Sequence, residues 1–478
     1  METVLNLLIL QGVLGALDTV YHHELTERLP SRPGARKEVA IHAVRSILYG
    51  VVFAGLAWFA WHGLWAWLLA GIILVEVWLT LWDFVVEDQS RKLPATERIL
   101  HTILAINGGA VFGLLALTWL DWLTQPSALV LISEGWKTWL LTLFAIGVTL
   151  SGLRDAWAVR QLGQRRPTPV KFDKSPQRIL VTGGTGFIGE PLVHGLVAAG
   201  CEVTLLTRDP LRAAYLFQGK VRCIRTMQEL SSNSSIDAVI NLAGAPVVGG
   251  RWNAKRRNLL LQSRIATTQA LTAWIQRARQ RPRVLIQASA VGFYGCQPAQ
   301  QWLDESAPPG QEFMSDLCQQ WEQHAAAVDA LGVRRVTLRL GLVFGASGGA
   351  LPMLILTYRL GLGALLGNGR QAMSWIHLED VLALIARGLY DPSFYGIFNA
   401  VAPEPLTQAT FARNLGIAVR RPVWLRIPAR VLYALLGEMA RVFVEGQQAI
   451  PKRLQLAGYR FRYPSFNNAL KQIMGAST

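Results

Sequence analysis

Three regularly spaced glycines stand in the stretch VTGGTGFIG, which runs from Val181 to Gly189. Glycine at such a point allows a tight turn, and the turn brings backbone N–H groups and the positive end of a following helix close to a phosphate. The stretch follows RILVT, a segment typical of a buried strand, and a helical pattern begins at about residue 187. This order of strand, glycine loop and helix predicts a dinucleotide site. Its predicted contacts are Gly183, Gly184, Thr185, Gly186, Phe187, Ile188 and Gly189.

The residues after the second predicted strand, EVTLL, bear on the choice of nucleotide. An acidic residue there would bind the adenosine ribose of NAD, but the sequence reads Thr207-Arg208. An arginine at this point can pair with the 2′-phosphate of NADP. We therefore expect NADP(H) rather than NAD(H), with Thr207 and Arg208 at the ribose. Asp209, one residue on, keeps NAD open, and the alternative for Arg208 is a merely solvated side chain.

A second group of chemically capable residues lies near the N-terminus. Acidic residues and histidines recur there in pairs spaced i, i+4, so that on a helix each pair shares one face. Imidazole and carboxylate suit Zn, Fe and Mn, and such pairs can bind a metal ion between helices. The simpler alternative is that polar helix ends form local hydrogen bonds. The spacing is not the Glu-x-x-His of di-iron bundles, and His23, Glu24 and Glu76 nearby make it no more specific. The pairs are Asp18 and His22, Glu38 and His42, Asp83 and Glu87, and Glu97 and His101.

The elements that must position these pairs are strongly apolar. Of the 478 residues 51% are hydrophobic, and the mean hydropathy is +0.28. A bilayer core requires about 20 apolar residues per helix. We predict an all-α transmembrane bundle of about five helices within residues 1–160, with a re-entrant pair at His62-Gly63 as an alternative. The apolar stretches lie at residues 4–20, 43–62, 64–86, 99–120 and 136–153.

Basic residues predict the orientation of this bundle, because Lys and Arg are retained on the cytoplasmic side. They occupy alternate connections, and the remaining connections are nearly free of basic charge. We therefore expect a multi-pass protein of the cytoplasmic (inner) membrane, with its N-terminus outside and its C-terminal part in the cytoplasm. The acid–histidine pairs would then lie at the cytoplasmic end. The basic connections hold Arg28, Arg32, Arg36, Lys37, Arg91, Lys92, Arg98, Arg154, Arg160, Arg165, Arg166, Lys171 and Lys174.

Net charge and cysteine usage narrow the class of partner. The net charge is +16, from 47 Lys and Arg against 31 Asp and Glu. The sequence contains neither a zinc-finger spacing nor a dense basic run, so we expect a lipid bilayer rather than nucleic acid as the partner. The four cysteines stand singly, without Cys-x-x-Cys spacing, which argues against a zinc or disulfide framework and fits a reducing cytosol. The N-terminus METVLNLLIL lacks a basic region before its apolar run, so we expect it to be retained.

From residue 178 the pattern changes to short apolar strands that alternate with amphipathic helices. This alternation predicts an α/β fold, a Rossmann doubly wound parallel sheet with helices on both faces. A polar, basic, proline-containing linker over residues 161–177 precedes it. We divide the chain into a membrane domain at 1–160, this linker, a nucleotide-binding domain at 178–404 and a small helical substrate lobe at 405–478.

The same part of the chain resembles the short-chain dehydrogenase/reductase superfamily in its extended, epimerase-like branch. The resemblance rests on VTGGTGFIG, on NLAG at 241–244, on SAVGFYG at 289–295 and on SWIHLEDV at 374–381. More narrowly, NLAGAPVVGGRW, GEMARVFVEGQQAIPKRL and AGYRFRYPSF are similar to proteins described as nucleoside-diphosphate-sugar epimerases. The resemblance covers about residues 178–478 and leaves out the membrane part. It implies a sheet of about seven strands, with Asn241, Ala243 and Gly244 beside the cofactor.

In that superfamily catalysis rests on a serine and a Tyr-x-x-x-Lys pair, in which the lysine lowers the tyrosine pKa and the phenol exchanges a proton with the substrate. Ser289 matches the serine. Met314 and Cys318 stand where the tyrosine and lysine would be, and none of the ten tyrosines is followed four residues later by lysine. The remaining candidates for catalysis are Tyr294, just past the strand of Ser289, and the thiol of Cys318. For each, a structural role is the alternative.

Two further stretches could line a substrate site. GGRWNAKRR supplies Arg251, Trp252 and Lys255, which are suited to stacking on a ring and pairing with phosphate or carboxylate. His377 lies in SWIHLEDV, a segment that the resemblance places near the substrate. The alternative for the first stretch is a helix start with a solvated basic face.

Three functions are compatible with these features. The leading hypothesis is an NADP-linked oxidoreductase or epimerase-like enzyme held at the inner face of a membrane, acting on a small molecule that is phosphate-bearing or membrane-associated. The second is an NADP(H)-binding sensor that has lost turnover and controls the membrane bundle. The third is a metal-dependent membrane enzyme or transporter that receives reducing equivalents from the soluble unit. The oligomeric state and the reaction direction are left open.

Overall fold

The computed structural model of the chain divides into two compact units, Met1–Pro167 and Thr168–Thr478. The residues described are 1–26, 29–31, 35–90, 93–164, 170, 172, 177–298, 300–346 and 348–475. Most of the predicted basic linker at 161–177 lies outside them, as does the side chain of Glu24.

The first unit is built from long helices. Five segments are long and apolar enough to cross a membrane, with mean hydropathies between 1.3 and 2.0. α2 and α3 are separate helices of 23 and 27 residues on either side of the His62-Gly63 corner. The elements are α1 (Glu2–Asp18), a π-helical turn (Thr19–Thr26), a short 3-10 turn (Leu29–Ser31), α2 (Arg36–Trp58), β1 (Phe59–Trp61), α3 (Leu64–Ser90), α4 (Ala95–Leu123), β2 (Leu129–Leu131) and α5 (Trp136–Gln164).

Small residues and one short hairpin fix how these helices pack. A Cβ on Gly50 of α2 would lie 2.1 Å from Thr149 Oγ1 of α5, and one on Gly152 would lie 2.9 Å from the carbonyl oxygen of Ala43. Glycine at both points lets the two backbones approach closely, as in other tightly packed apolar helices. β1 pairs antiparallel with β2. The corner after α2 and the connection before α5 therefore lie at the same end of the bundle.

The second unit is organised around a parallel sheet of seven strands from the described residues, in the order β13-β9-β7-β6-β3-β4-β5. The chain runs outward from β3 to β5, then returns to place β6 on the other side of β3. This reversal makes a crevice at the carboxyl ends of β3 and β6, where ligands bind in open α/β sheets. β3 and β4 have the predicted bounds. The strands are β3 (Arg178–Thr182), β4 (Glu202–Leu206), β5 (Arg222–Ile224), β6 (Ala238–Asn241), β7 (Val284–Ala290), β9 (Arg334–Leu340) and β13 (Gly396–Ala400).

Helices cover both faces of the sheet, which confirms the predicted Rossmann-like layering. Because side chains alternate along a strand, Ile179 and Val181 of β3 face one layer, and Leu180 between them faces the other. The first layer packs with Leu196, the second with Trp274. The helices are α6 (Gly189–Ala198), α7 (Pro210–Leu216), α8 (Ala254–Arg277), α9 (Phe313–Ala326) and α11 (Leu378–Tyr390).

The remaining elements form a lobe assembled from both sides of residue 404. Three short parallel pairs, β10/β12, β11/β14 and β15/β8, join distant parts of the chain. Phe344 and Trp375 stack with each other and pack against Phe466 near the C-terminus. Residues 405–478 therefore do not fold as a separate piece. The elements are β8 (Trp302–Leu303), β10 (Leu342–Phe344), α10 (Leu351–Arg359), β11 (Ala364–Leu366), β12 (Trp375–His377), α12 (Gln408–Ala418), β14 (Leu425–Ile427), α13 (Ala429–Leu436), α14 (Arg441–Val444), β15 (Gln448–Ala449), α15 (Lys452–Leu456) and α16 (Phe466–Met474).

Candidate functional site

The glycine loop lies between β3 and α6, and two of its glycines are sterically required. Gly183 has φ +69, and a Cβ there would lie 2.6 Å from the carbonyl oxygen of Leu242. A Cβ on Gly189 would lie 2.2 Å from the carbonyl oxygen of Gly183. The N–H of Gly186 donates to that same carbonyl, 3.0 Å away, and closes the turn. Only glycine fits this path at 183 and 189.

The loop leaves the start of α6 open to a ligand. Within the described residues no side chain caps this helix at Ile188. The first N–H groups of a helix lack partners inside the helix and carry a partial positive charge. Gly186 is exposed in front of them, and Thr185, Phe187 and Ile188 are half-buried. Within α6 the N–H of Glu190 already donates to the carbonyl oxygen of Gly186 at 2.8 Å and Pro191 has no N–H, so a pyrophosphate here would face the positive end of the helix and the N–H groups of the loop before it.

Asn241 positions this loop from inside the sheet. Its side chain is fully buried and accepts a hydrogen bond from Thr182 Oγ at 2.6 Å. Its amide donates to Thr268 and Gln287, each at 2.9 Å. Thr182 Oγ also accepts from the N–H of Ala243 at 3.2 Å. The Asn241 amide is therefore committed to tying β3, β6 and β7 together, and its contribution to cofactor binding is the placement of Ala243.

Gly244 makes room for a buried arginine that the sequence did not single out. A Cβ on Gly244 would lie 2.9 Å from Cζ of Arg264 in α8. Arg264 donates to the carbonyl oxygens of Leu260 and Ala245 and lies over the ring of Trp321. Burial lowers the pKa of this guanidinium. Its cationic group thus supports the loop after β6 from beneath.

The residues after β4 bear on the choice between NADP and NAD. Asp209 is the N-cap of α7 and accepts from the N–H of Arg212 at 3.0 Å. The N–H of Asp209 itself donates to Thr207 Oγ at 3.2 Å. Arg208 is exposed between them. The Asp209 carboxylate is thus used as a helix cap, whereas Arg208, the predicted ribose contact, is exposed.

The predicted acid–base position is apolar. Met314 and Cys318 lie on the side of α9 that faces the turn after β7, where a Cβ on Gly292 would lie 3.6 Å from Met314 Cβ and 3.9 Å from Cys318 Sγ. Cys318 is fully buried. Burial, reinforced by the charge of Glu322, raises the pKa of this thiol to about 12. A thiol with this pKa is not a thiolate near neutral pH, so Cys318 is a core residue and not the predicted catalytic thiol.

A buried charged network stands beside that position. Ser289 at the end of β7 donates to Glu322 Oε1 at 2.6 Å. Arg339 of β9 donates to both oxygens of Glu322 at 2.9 Å, a two-point pairing of high geometric specificity. Burial alone would lower the pKa of Arg339, but the carboxylate of Glu322 outweighs it and raises that pKa. Two features of the sequence could have predicted this ion pair. Glu322 is one helical turn beyond Cys318 on the same face, and Arg339 is a charged residue within an apolar strand.

Tyr294 belongs to the same network. Its hydroxyl donates to Asn399 Oδ1 at 2.7 Å and accepts from Arg339 at 3.0 Å. The residue is fully buried, and burial raises the pKa of its phenol. With both hydrogen-bonding functions used inside the protein, Tyr294 is a structural residue that connects β7, β9 and β13. Ser289 is also buried, at 2% exposed, but its hydroxyl accepts no hydrogen bond among the described residues, so of the three predicted catalytic residues it is the one with an acceptor left for a substrate.

The predicted substrate side chains divide in a similar way. Arg251 donates to the carbonyl oxygens of Leu435 and Ala434, at the end of α13. Trp252 is buried, and its indole N–H donates to the carbonyl oxygen of Val247. Both side chains hold the segment after β6 in place. Lys255, on the first turn of α8, is exposed. Only Lys255 is available to an anionic ligand.

His377 is a helix cap. Its Nδ1 accepts from the N–H of Glu379 at 3.2 Å, and its Nε2 lies 3.0 Å from Gln472 Oε1. Burial lowers the pKa of its imidazole to about 4. The neighbouring Asp380 is fully buried and accepts from the N–H groups of Arg462 and Tyr463. SWIHLEDV therefore anchors the C-terminal AGYRFRYPSF segment, and His377 is not free for substrate.

In the helical unit, the acid–histidine pairs converge on one cluster. Nε2 of His101 lies 3.1 Å from Asp18 Oδ2, and its Nδ1 lies 3.4 Å from Glu87 Oε2. Nε2 of His42 lies 3.0 Å from Asp83 Oδ2 and 3.9 Å from Glu87 Oε1. Pairs that are separate in the sequence thus meet around Glu87.

One histidine differs from the prediction. Nδ1 of His22 lies 2.8 Å from Asp18 Oδ1, but its Nε2 turns to Thr96 Oγ at 3.2 Å. Instead His23 points into the cluster: its Nε2 lies 3.4 Å from Asp18 Oδ2 and 3.9 Å from Glu97 Oε1. The predicted Asp18–His22 pair is therefore formed, and the π-helical turn over Thr19–Thr26 brings His23 to the same carboxylate as well.

Comparison with known proteins shows which family the second unit resembles. Residues 179–399 match the model of the NAD dependent epimerase/dehydratase family, and residues 427–473 match a domain of unknown function, DUF1731. The epimerase family protein YfhF of Bacillus subtilis (strain 168) is 36% identical over 300 residues, which cover 62% of this chain and 97% of that protein. The human epimerase family protein SDR39U1 is 37% identical over 303 residues, which cover 62% and 99%.

A solved structure agrees with these sequence matches. The crystal structure of human SDR39U1 (isoform 2) with NADPH is 35% identical and covers 63% of this chain and 100% of that one, with a TM-score of 0.57. Both family matches begin beyond residue 178, so they concern the unit that carries the glycine loop. The chain therefore belongs to the NAD dependent epimerase/dehydratase family.

Proposed function

We propose that the chain is an NADP(H)-dependent oxidoreductase of the epimerase type, anchored in a membrane by its helical unit. The observation that carries the cofactor assignment is the pair Arg208 and Asp209. The aspartate caps α7, and the arginine is exposed at the ribose position. An unpaired guanidinium there favours a 2′-phosphate over a bare hydroxyl. The human relative solved with NADPH supports the same nucleotide.

Ser289 is the side chain best placed for the reaction. It stands near the carboxyl end of β7. This strand pairs with β6, and β6 lies beside β3, the strand from which the glycine loop starts. Bound nicotinamide would supply or accept a hydride. Because Ser289 donates its proton to Glu322, its lone pairs are directed away from that carboxylate and can accept a hydrogen bond from a substrate hydroxyl. Glu322 and Arg339 orient the serine but do not reach outward themselves.

The substrate is proposed to be a small hydroxyl or carbonyl compound that carries phosphate or is associated with the membrane. Lys255 is exposed at the start of α8, on the segment that follows β6, and suits an anionic group. Met314 and Cys318 in place of the usual acid–base pair favour a second function, that of a sensor. Such a sensor binds NADP(H) and responds to its presence without catalysing a reaction. The two functions share the cofactor site and differ in whether hydride leaves the nucleotide.

Membrane anchoring is proposed from the polarity of the first unit. Large apolar side chains on its outside are widely exposed, among them Leu74 at 69% and Trp139 at 66%. Several of its carboxylates are buried instead, and Glu87 and Glu97 are fully buried. A unit in water would show the reverse, and lipid accounts for both observations. With the basic connections on the cytoplasmic side, the nucleotide-binding unit is proposed to lie in the cytoplasm of a cell whose inner membrane holds the helices.

Nucleotide titration tests the proposal. Full-length protein in detergent would be titrated calorimetrically with NADPH and with NADH, together with Arg208→Ser. We expect NADPH to bind more tightly than NADH, and the substitution to weaken NADPH by about 10- to 100-fold with little effect on NADH. Arg222→Ser is the matched control, because Arg222 is an exposed arginine at the amino end of β5, away from the carboxyl ends of the strands where the nucleotide is proposed to bind. Equal binding of the two nucleotides by the unaltered protein would contradict the assignment.

Turnover then separates the enzyme from the sensor. A panel of carbonyl and sugar-phosphate compounds would be followed by NADPH oxidation, with Ser289→Ala as the variant. An enzyme shows oxidation that this substitution reduces by about two orders of magnitude. A sensor binds NADPH and oxidises none of the compounds.

A further inference from the structure

The acid–histidine cluster of the helical unit has the composition of a metal centre. We use the name for Asp18, His23, Glu38, His42, Asp83, Glu87, Glu97 and His101. Within it, potential ligand atoms of three overlapping triads lie within 4.8 Å of one another: Asp18, His23 and His101; Glu38, His42 and Glu87; Glu87, Glu97 and His101. Two ligands on one Zn²⁺ or Fe²⁺, each at about 2.0–2.2 Å, are separated by at most about 4.4 Å. Small side-chain movements bring each triad to that spacing.

The overlap of the triads indicates two ions rather than one. A metal of this class takes about four protein ligands, and the three triads together contain seven side chains. Glu87 belongs to two of the triads, one with His42 and one with His101. A carboxylate has two oxygens and bridges two ions in dinuclear sites, where the metals lie about 3.5–4 Å apart. We infer that the cluster binds two divalent transition-metal ions, bridged by Glu87.

The charge inside the helices supports this site. The five carboxylates of the cluster are no more than 6% exposed, and several buried carboxylates together are costly unless cations balance them. Arg45 pairs with Asp83 at 2.6 Å and with Glu76 at 3.4 Å. The rings of His23 and His42 stack with centroids 4.5 Å apart, and each imidazole lies beside a carboxylate of the cluster. Two divalent cations bound there would offset the negative charge of the five carboxylates.

Two independent features of the backbone and side chains point to the same place. The π-helical turn over Thr19–Thr26 lets both His22 and His23 approach Asp18, and such turns are frequent at functional sites. Asp83 Oδ1 is buried without a hydrogen-bond partner among the described residues, although Oδ2 of the same carboxylate contacts His42 and Arg45. A buried acceptor of this kind calls for a cation at that oxygen.

Residues around the cluster would orient its ligands. His22 holds the other oxygen of Asp18 at 2.8 Å and in turn contacts Thr96. Arg45 holds Asp83. Partners of this kind fix ligand orientation in metal sites. The mixed imidazole and carboxylate set suits Zn²⁺, Fe²⁺ or Mn²⁺ and lacks the thiolates that select softer ions.

Metal content and titration test the inference without reference to nucleotide. The full-length protein would be purified in detergent without chelator and its metal measured by mass spectrometry. Metal-free protein would then be titrated with Co²⁺, whose absorption spectrum reports tetrahedral or five-coordinate nitrogen–oxygen sites. We expect two equivalents per chain in both measurements. Zero or one equivalent would overturn the two-ion site.

Variants distinguish the bridge from the two halves. Glu87→Gln is expected to reduce bound Co²⁺ from two equivalents to one or none, and His42→Gln and His101→Gln each to remove one. His62→Ala is the matched control, since His62 packs against Trp122 among the connections at the other end of the same unit. It should retain two equivalents. The helix content and thermal unfolding of each variant in detergent, followed by circular dichroism, identify any whose helical unit fails to fold; retention of two equivalents in a folded Glu87→Gln protein would refute the bridge.

Discussion

The residues of the nucleotide site differ in whether the sequence around them predicts their roles. Gly183 and Gly189 were predictable from the spacing of the glycines in one short loop, where Gly183 takes a positive φ and Gly189 approaches the carbonyl oxygen of Gly183. The roles of Ser289 and Tyr294 were not, since their partners lie 33 and 105 residues away. The sequence does not show whether a serine and a tyrosine in this motif face a substrate or form hydrogen bonds inside the protein. The buried pair of Glu322 and Arg339 decides between these roles.

That pair predicts a large effect from a small chemical change. Glu322→Gln keeps the size of the side chain but leaves the buried Arg339 guanidinium without its counter-charge. Removing one partner of a buried ion pair costs about 3–5 kcal/mol of folding free energy. We expect the urea midpoint for loss of NADPH binding by the full-length protein to fall accordingly. Gln323→Ala, on the exposed side of the same helix, is the control. A shift no larger than that of the control would show that the network does not stabilise the unit.

Secondary-structure elements followed from the sequence where one periodicity was sustained. β3 and β4 match their predicted bounds because both are short, continuous apolar runs between glycine, proline and polar residues. The π-helical turn could not be predicted from an i, i+4 pattern, and His23 was therefore not paired with Asp18. The lobe was likewise beyond reach, since β11 and β14 pair across about sixty residues without a signal that links them.

The cap of α11 gives a pH dependence that belongs to this element. His377 has a pKa of about 4 in the folded protein against an ordinary value of 6.5, because burial disfavours its charged form. The unfolded chain therefore takes up a proton first as the pH falls. The stability contributed by the neutral imidazole is complete above pH 6.5 and is lost progressively between pH 6.5 and 4, by at most about 3 kcal/mol.

His377→Asn tests this dependence, because asparagine also caps a helix but does not titrate in that range. We expect thermal unfolding of the NADPH-binding unit to lose less stability between pH 7 and 4.5 in the variant than in the unaltered protein. The melting transition of that unit is identified by its shift with NADPH. Parallel pH profiles for the two proteins would mean that His377 is not the group responsible.

At the scale of the whole molecule, the two units have opposite polarity. In the first, large apolar side chains are exposed and the carboxylates of the acid–histidine cluster are buried, whereas the second is built around an apolar core. The sequence predicted this division from composition alone. It also predicted that the connections after α2 and after α4 share a side, and the β1–β2 hairpin brings them together. Which side faces the cytoplasm rests on the basic residues of the other connections, some of which lie outside the described residues.

Accessibility to an impermeant maleimide tests that orientation in cells. Cysteines would be introduced one at a time at Gln125, in the connection near the hairpin, and at Asp88, near the end of α3; both positions are exposed. Cys223 and Cys296, the partly exposed native cysteines, would first be changed to serine. We expect Gln125→Cys to react in intact cells and Asp88→Cys to react only after permeabilisation. The reverse pattern would place the glycine loop outside the cell, where NADPH is not supplied, and would therefore contradict the proposed function together with the orientation.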